Sequence, residues 1–574
     1  MSYFKCRLQP EEATIRVLGL NAVFHDPAAA LVIDGETVAA AEEERFSRRK
    51  HGKRPVPFST WELPENAALW CLEHAGLNAA DLDAIAYSYD PAGAPPPSAD
   101  ITADDWEGLR TLYAQRAPHF LQTALPGSER ASFHFVAHHV AHAASAFHAA
   151  PFRSCAVLVL DGRGEQASHL AGQVTGTGLR VLASQALPNS LGLLYEELTQ
   201  HLGFRRSSDE YKVMALAGYG KPAMVEPLRE AIRTTSDGGF VTEAIDWSRF
   251  APAVRDGDSD WTQAGADLAA SVQARLEEVL LELAGWLHGR TGEQALVLAG
   301  GVALNCVANS RLWRDGPFER IWVQPAAGDA GTALGAAMHV AAQLGDRVSP
   351  MRGAALGRGF SDTDLAGWLE DAGVAYERSA DVAEAVGDAL SRDEIVAWFQ
   401  GRSEWGPRAL GHRSLLADPR RSENLERLNE IKGREQFRPV APMVLAERAS
   451  ELFSAGPIPS PYMLFTHEVA ARWVDRIPAV VHIDGTARIQ TVDEHEEPLL
   501  ARMLRAFERA TGVPVVVNTS LNTAGRPIVD DPRDVLECFG SAPIDLLAIG
   551  PFLVRRPIAR FETHLHLAGA MASR

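Results

Sequence analysis

Cysteine is scarce and scattered: Cys6, Cys71, Cys155, Cys306 and Cys538 form an odd set with no CxxC pair among them. That excludes a disulfide scaffold and a cysteine-built metal site, and it points to a reducing, cytoplasmic setting. Long apolar runs are missing too. None approaches the ~20 residues of a membrane span, and the N-terminus shows no apolar signal-peptide core. Positive charge is in short supply, with 55 Lys and Arg against 74 Asp and Glu, a formal net charge of -19. A surface of that sign repels phosphate backbones and anionic lipid, which excludes nucleic acid and membrane as general partners.

What is present suffices for several cores. The chain is 46% hydrophobic and its 574 residues exceed the roughly 250–300 at which one core stops growing, so at least two domains are expected. Residues 15–20, 28–33 and 37–41 read as three short strands, the last two joined by Asp34-Gly35, a dipeptide suited to a tight hairpin. The same grammar returns at 155–160, 169–174 and 179–183, which predicts a duplicated half-domain with a nucleotide cleft between two lobes. Helices are predicted over 66–75, 134–147, 266–287, 335–344 and 421–432, with buried strands at 395–399 and 513–517. A turn-rich break over 345–359 places the domain boundary near Pro350, dividing the chain into 15–349 and 350–574.

Three constellations carry chemistry. His138 and His142 are four apart in an alanine-rich helix, where they share one face. Such a pair either meets one metal ion or packs as ordinary core histidines. Asp161 at a strand end and Asp329 in a glycine-punctuated loop can complete an iron, zinc or manganese site, or serve as turn and cap residues. Next, Gly300-Gly301 follows a buried strand and leads through Asn305 into a helix, which is a phosphate-cradling turn or simply a tight connection. Last, residues 401–440 hold nine Lys or Arg against six Asp or Glu, a cationic island in an acidic chain. Arg408, Lys432, Arg438, Arg488 and Arg526 lie among Gly, Pro and strand residues, as expected around a small phosphorylated anion.

Ordered motifs along the chain are Phe24-His-Asp-Pro, Glu42-Glu-Glu-Arg-Phe-Ser47 with Lys50-His51, and His138-His-Val-Ala-His142. They continue with Asp209-Glu-Tyr-Lys212, Gly300-Gly-Val-Ala-Leu-Asn305, Gly406-Pro-Arg-Ala-Leu-Gly-His-Arg-Ser414, Asp484-Gly-Thr-Ala-Arg488 and Asn518-Thr-Ser-Leu-Asn522. Together they resemble the carbamoyltransferase family of antibiotic and nodulation-factor biosynthesis, nearest its aminoglycoside-modifying branch. The resemblance implies an α/β protein: an N-terminal duplicated domain of the actin, Hsp70 and sugar-kinase class (Kae1-like), and a C-terminal YrdC-like α/β domain. It implies an ATP-dependent O-carbamoyltransferase. Carbamoyl phosphate and ATP, with magnesium, would form carbamoyl adenylate in the C-terminal domain. In the N-terminal domain a hydroxyl of a polycationic aminoglycoside, such as tobramycin or kanamycin, would take the carbamoyl group and release AMP.

Roles follow from that resemblance. Lys432, Arg438, Arg488 and Arg526 would neutralise carbamoyl phosphate, with Asn518 fixing its amide. Lys212, Gly300, Gly301, Asn305, Arg408, Ser414 and Ser520 would hold ATP or the adenylate. His138, His142, Asp161 and Asp329 would hold a metal, iron(II) first, with zinc or manganese equally compatible with these ligands. His25, at the tip of the first hairpin, is either the base for the acceptor, held by Asp26, or a structural hairpin histidine. Another secondary metabolite or a sugar is the alternative acceptor, and three other readings compete. A sugar kinase or nucleotide-switched binding protein has no use for the cationic island. A transfer-RNA threonylcarbamoyl transferase needs a basic surface. A metallohydrolase on the histidine pair lacks HExxH.

Overall fold

Two strand-turn-strand units of the same grammar fold into two sheets of the same topology. In the computed structural model, which describes residues 14–52, 63–95, 106–176, 178–255, 261–523 and 525–556, the first unit is β1 (Arg16–Asn21), β2 (Ala28–Ile33) and β3 (Glu36–Glu42). With β4 (Ala84–Tyr87) and β5 (Ser132–Phe135) it forms a sheet of order β3-β2-β1-β4-β5. The second unit is β6 (Cys155–Leu160), β7 (Ala167–Thr175) and β8 (Gly178–Ala186). After a short hairpin, β9 (Ile232–Thr234) and β10 (Phe240–Thr242), the strands β11 (Ala295–Ala299) and β12 (Arg320–Val323) complete the order β8-β7-β6-β11-β12. Each sheet has three antiparallel strands followed by two parallel ones. This repeated mixed sheet is the duplicated half-domain expected from the sequence, in keeping with the actin and sugar-kinase plan that the resemblance implies. Asp34 and Gly35 both hold positive φ, 51° and 77°, as a two-residue hairpin turn requires.

Two helices fill the space between the sheets, His138–Phe147 and Ala330–Leu344. Small residues allow the close approach. A Cβ on Gly335 would run into the Ala141 carbonyl, and one on Gly19 of β1 into that of Ala333. The first helix begins later than the expected 134, because Phe133 and Phe135 belong to β5 and pair beside β4. Aromatic side chains suit a pleated sheet, and they override the helical preference of the alanines that follow.

No helix or strand forms between Leu344 and Asp362. Beyond lies an α/β domain on an eight-stranded mixed sheet. At its centre, Arg413–Ala417 pairs antiparallel with Val515–Ser520, which pairs in turn with Ala441–Leu445. Helices Val382–Ser391 and Pro498–Thr511 pack on it over a core containing Trp398, Phe399 and Phe507. Among the described residues no helix is long and apolar enough to cross a membrane.

The two halves meet through buried charge. Arg45, 2% exposed, donates to the Gly406 carbonyl at 2.9 Å, and the Gly406 N–H donates to Glu42 Oε1 at 2.8 Å. Arg48 reaches the carbonyls of Ile528 and Pro527, and Arg358 pairs with Asp530 while donating to the Arg45 carbonyl. An uncompensated buried ion is costly, so each of these charges ties one half to the other.

Candidate functional site

One strand end and two helices of the N-terminal half bring four buried side chains together. His138 and His142 present Nε2 from one face of their helix. Asp161 follows β6, and Asp329 sits at the N-cap of Ala330–Leu344 without capping it, leaving its carboxylate for the cluster. His138 Nε2 lies 3.4 Å from Asp161 and 3.7 Å from Asp329, and His142 Nε2 lies 3.6 and 3.5 Å from the same pair. One ligand atom from each of the four falls within 4.8 Å of the others. Neither Nε2 makes a well-formed hydrogen bond among the described residues. His138 Nδ1 faces the Ser88 carbonyl at 3.1 Å, an acceptor only, so a proton resides there and Nε2, which faces the carboxylates, is the nitrogen that loses its proton when a metal binds. Burial opposes the charges, yet the paired groups outweigh it: His138 and His142 are held above the usual imidazole range and Asp161 below the carboxylate range. Two imidazoles and two carboxylates on one point suit iron, zinc or manganese, and the packed core-histidine alternative does not explain the converging Nε2 atoms.

A second cluster stands beside the first. In the loop after β1, Asn21 donates to the carbonyls of His25 and Asp26 at 2.7 and 2.9 Å, which fixes a turn with Phe24 and Asp26 at φ 60° and 46°. Phe24 packs edge-on against His138, ring centroids 5.0 Å apart. Asp26 accepts from two rings, His25 Nδ1 and His51 Nδ1, each at 2.9 Å. Burial opposes ionisation, but the two histidines hold this carboxyl well below its usual range. His25 and Asp26 are therefore together as expected. His51 was quoted in the sequence motif without a role, and its 25-residue separation from Asp26 carried no signal of contact.

Part of the cationic island, Arg408, Lys432, Arg434 and Arg438, gathers with Arg488 in the C-terminal half, while Arg420, Arg421 and Arg427 pair with Asp418 and Asp393. Lys432 follows the helix Glu423–Ile431, and its ammonium donates to the Ser520 carbonyl, to Ser520 Oγ at 2.9 Å and to Asn522 Oδ1. Those partners are neutral. Burial, then Arg434 and Arg438, push Lys432 well below the usual lysine range. Burial and neighbouring arginines likewise lower Arg408 and Arg434, and the Nε atoms of Arg408 and Arg488 have no hydrogen-bond partner among the described residues. Sheet register adds the small polar groups: Ser414 lies opposite Ser520, and Leu416 opposite Asn518. Asn518 donates to Ala409 and Gln490, while its Oδ1 accepts nothing from the described residues. Such a concentration of buried cations is what an anion would offset.

Other expected residues have different surroundings. Lys212 pairs with Asp209 at 3.1 Å and with Glu435 at 2.8 Å, and Glu435 also meets Arg438 at 3.3 Å, so Lys212 joins the two halves. Gly300 has φ 89°, and a Cβ there would strike the Leu160 carbonyl. The Gly301 N–H donates to Asp161 Oδ1 at 2.9 Å, which orients a metal-cluster carboxylate. Asn305 caps the next helix at Ala308 N and exchanges hydrogen bonds with Gln273. Arg408 reaches toward the Leu304 carbonyl at 3.5 Å, bringing the arginine loop to this turn. Arg526 stands apart, its side chain 66% exposed and 3.8 Å from Glu537. Arg434 joins the cluster instead. Sequence reasoning named its segment without selecting it, since alternation within a loop gives no inward direction.

Comparison with known proteins covers most of the chain. The family model described as carbamoyltransferase N-terminus matches residues 16–92 and 112–338, and that described as carbamoyltransferase C-terminus matches residues 387–556. Nodulation protein NolNO of Sinorhizobium fredii is 38% identical, covering 96% of this chain and 81% of its own. Nodulation protein NolO of Bradyrhizobium diazoefficiens is 39% identical over 76% of this chain and 81% of its own. Nodulation protein U of Rhizobium tropici is 30% identical over 90% of this chain and 92% of its own.

Proposed function

From the premise that this chain belongs to the carbamoyltransferase family and is a carbamoyltransferase, we propose that it makes carbamoyl adenylate from carbamoyl phosphate and ATP, water releasing phosphate from carbamoyl phosphate and a carbamate oxygen then displacing pyrophosphate from the α-phosphorus of ATP. It then transfers the carbamoyl group to a hydroxyl of a secondary metabolite or sugar, a reading that likeness to nodulation proteins favours over an aminoglycoside. The observation that carries the donor reaction is Lys432, a buried ammonium held by neutral oxygens amid Arg434 and Arg438. Lys432, Arg438, Arg434 and Arg488 would neutralise phosphate oxygens as charge develops on them, and Asn518 Oδ1 would accept from the carbamoyl amide. Arg408, Ser414 and Ser520 would orient the nucleotide, with Lys212 and the Gly300–Asn305 turn on the N-terminal side. Arg526 would contribute only by turning inward from its exposed position.

In the N-terminal site, Asp26 commits the proton of His25 to Nδ1 and leaves the lone pair on Nε2, the nitrogen that would take the acceptor's proton. His138, His142, Asp161 and Asp329 would hold iron(II), zinc or manganese, which when bound supplies Lewis acidity beside the transferred group. A second acceptor reading, a polycationic aminoglycoside, is favoured by the net charge of -19, which draws cations toward the molecule.

The donor reaction is tested by exchange of labelled pyrophosphate into ATP. Exchange that requires carbamoyl phosphate is the expected result. Exchange without it, or none in metal-loaded protein, would refute the carbamoyl adenylate route.

A further inference from the structure

In the loop after β1, one carboxylate serves two imidazoles. Asp26 Oδ2 meets His25 Nδ1 and Asp26 Oδ1 meets His51 Nδ1, each at 2.9 Å. A carboxylate can only accept, so each ring carries a proton on Nδ1. His51 Nε2 lies 3.0 Å from Ser208 Oγ, and with its other nitrogen already donating, the lone pair there accepts from the serine hydroxyl. Both nitrogens of His51 are thus engaged by protein groups, which leaves it no atom for a substrate proton.

The surroundings keep His51 neutral and in place. Burial, then the neighbouring His25, lower it below the usual imidazole range. Its backbone N–H donates to Glu44 Oε2 at 2.7 Å, and Glu44 is paired with Lys50 at 3.2 Å. The ring lies tilted against that of His25, centroids 4.3 Å apart. From the facing loop, the Ser207 N–H donates to Glu210 Oε1 at 2.7 Å, which fixes the turn that carries Ser208. Asp26, His51 and Ser207 hold φ of 46°, 61° and 57° although none is glycine, and left-handed backbone of this kind persists where the packing around it over-determines it.

We propose that His51 is a positioning residue for carbamoyl transfer: by donating to Asp26 Oδ1 it aims Oδ2 at His25 and limits the carboxylate charge which that ring receives. This rests on the reading of His25 as base for the acceptor. As the acceptor oxygen bonds to the carbamoyl carbon of the adenylate, AMP leaves with the electron pair and the hydroxyl proton passes to His25 Nε2. Asp26 stays ionised between the new imidazolium and the neutral His51. A hydrogen bond to the charged form of a carboxylate lowers its proton affinity, so without His51 the carboxylate pulls harder on His25 and that ring holds its proton more tightly.

Titration of His25 itself tests the proposal. Full-length protein is treated briefly with diethyl pyrocarbonate over a pH series through neutrality. The adduct is quantified on the peptide released between Arg16 and Arg45, in which His25 is the one histidine. Neutral imidazole reacts and imidazolium does not, so the adduct reports the protonation of His25. In His51→Ala the midpoint should rise by about one unit, and the acid limb of kcat for transfer from supplied carbamoyl adenylate should rise with it. His51→Gly, suited to the φ of 61°, takes its place if the alanine variant does not fold. His51→Asn keeps a donor toward Asp26 and tolerates left-handed backbone, so it should keep the wild-type midpoint. Glu210, which burial and then Glu196 push up to about 7, titrates in the same window, and it is retained with Glu44 and Lys50 in every variant. A midpoint that stays in place or falls in the variants lacking the donor overturns the inference, whether or not an acceptor is carbamoylated. If the midpoint rises and the acid limb does not follow, His25 is not the base, and the proposal falls with that reading.

Discussion

The Ser88 carbonyl stands 3.1 Å from His138 Nδ1, and this contact assigns the work of the opposite ring nitrogen. Ser88 is in turn placed by its hydroxyl, which donates to Asn21 Oδ1 at 3.1 Å and accepts from Thr332 Oγ1 at 2.8 Å. Asn21 also holds the His25–Asp26 turn, so one buried serine ties the His138–His142–Asp161–Asp329 cluster to the His25–Asp26–His51 cluster. Thr332→Val removes the hydroxyl from that link, together with its hydrogen bond to the Asp329 carbonyl at 2.6 Å, while every ligand side chain stays in place. We predict metal affinity weakened by about 10-fold, the lower end for loss of an outer-shell contact, measured by competition with a chelator. His142→Ala should abolish loading, read by elemental analysis, while leaving pyrophosphate exchange intact.

Lys432→Ala should abolish the use of carbamoyl phosphate and spare turnover of supplied carbamoyl adenylate. Equal loss of both activities would contradict the division of labour between the halves. The same substitution relieves a buried cation that its neighbours repel. Thermal unfolding of the ligand-free variant should therefore show unchanged or raised stability, while stabilisation by added pyrophosphate is lost.

Arg45→Ala should destabilise the protein by about 3–5 kcal/mol, the cost of leaving a buried partner charge uncompensated. Glu42 would be that orphan, beside the Gly406 peptide it accepts from. Denaturant unfolding measures the loss. Because Gly406 belongs to the loop carrying Arg408, KM for ATP should rise as well.

His412 gives a pH dependence of defined sign. Burial disfavours its charge, but Glu497 at 3.1 Å and nearby Glu404 outweigh this and raise it above the usual histidine value. A group raised on folding stabilises fully below its unfolded value, about 6.5. That contribution fades as pH rises through the folded value. Stability should thus fall with pH above about 6.5 in the wild type, and His412→Gln should lack this component of the slope.

Where sequence and structure agree, the signal was local. The duplicated hairpins needed only short apolar runs and a tight turn, and His138 with His142 needed only helical spacing. Asp161 and Asp329 were legible because one follows a buried strand and the other opens a helix. Long-range partners were not. Nothing in the sequence joins His51 to Asp26 or to Ser208, and the contact exists only because three loops meet. Gly301 illustrates a different limit: its glycine pattern signalled a tight turn, while the amide's true partner, Asp161, lies 140 residues away. Arg526 and Arg434 show that residue type predicts a cationic cluster better than it predicts which arginines face inward.

The central claim is tested most directly by mass spectrometry of reactions containing the iron-loaded protein, carbamoyl phosphate, ATP and a panel of hydroxyl acceptors, from chitin-type oligosaccharides to aminoglycosides. The account predicts one acceptor class gaining a single carbamoyl group, with AMP formed in equal amount. Absence of any ATP-dependent carbamoyl transfer across the panel, with no AMP and no pyrophosphate released, would contradict it.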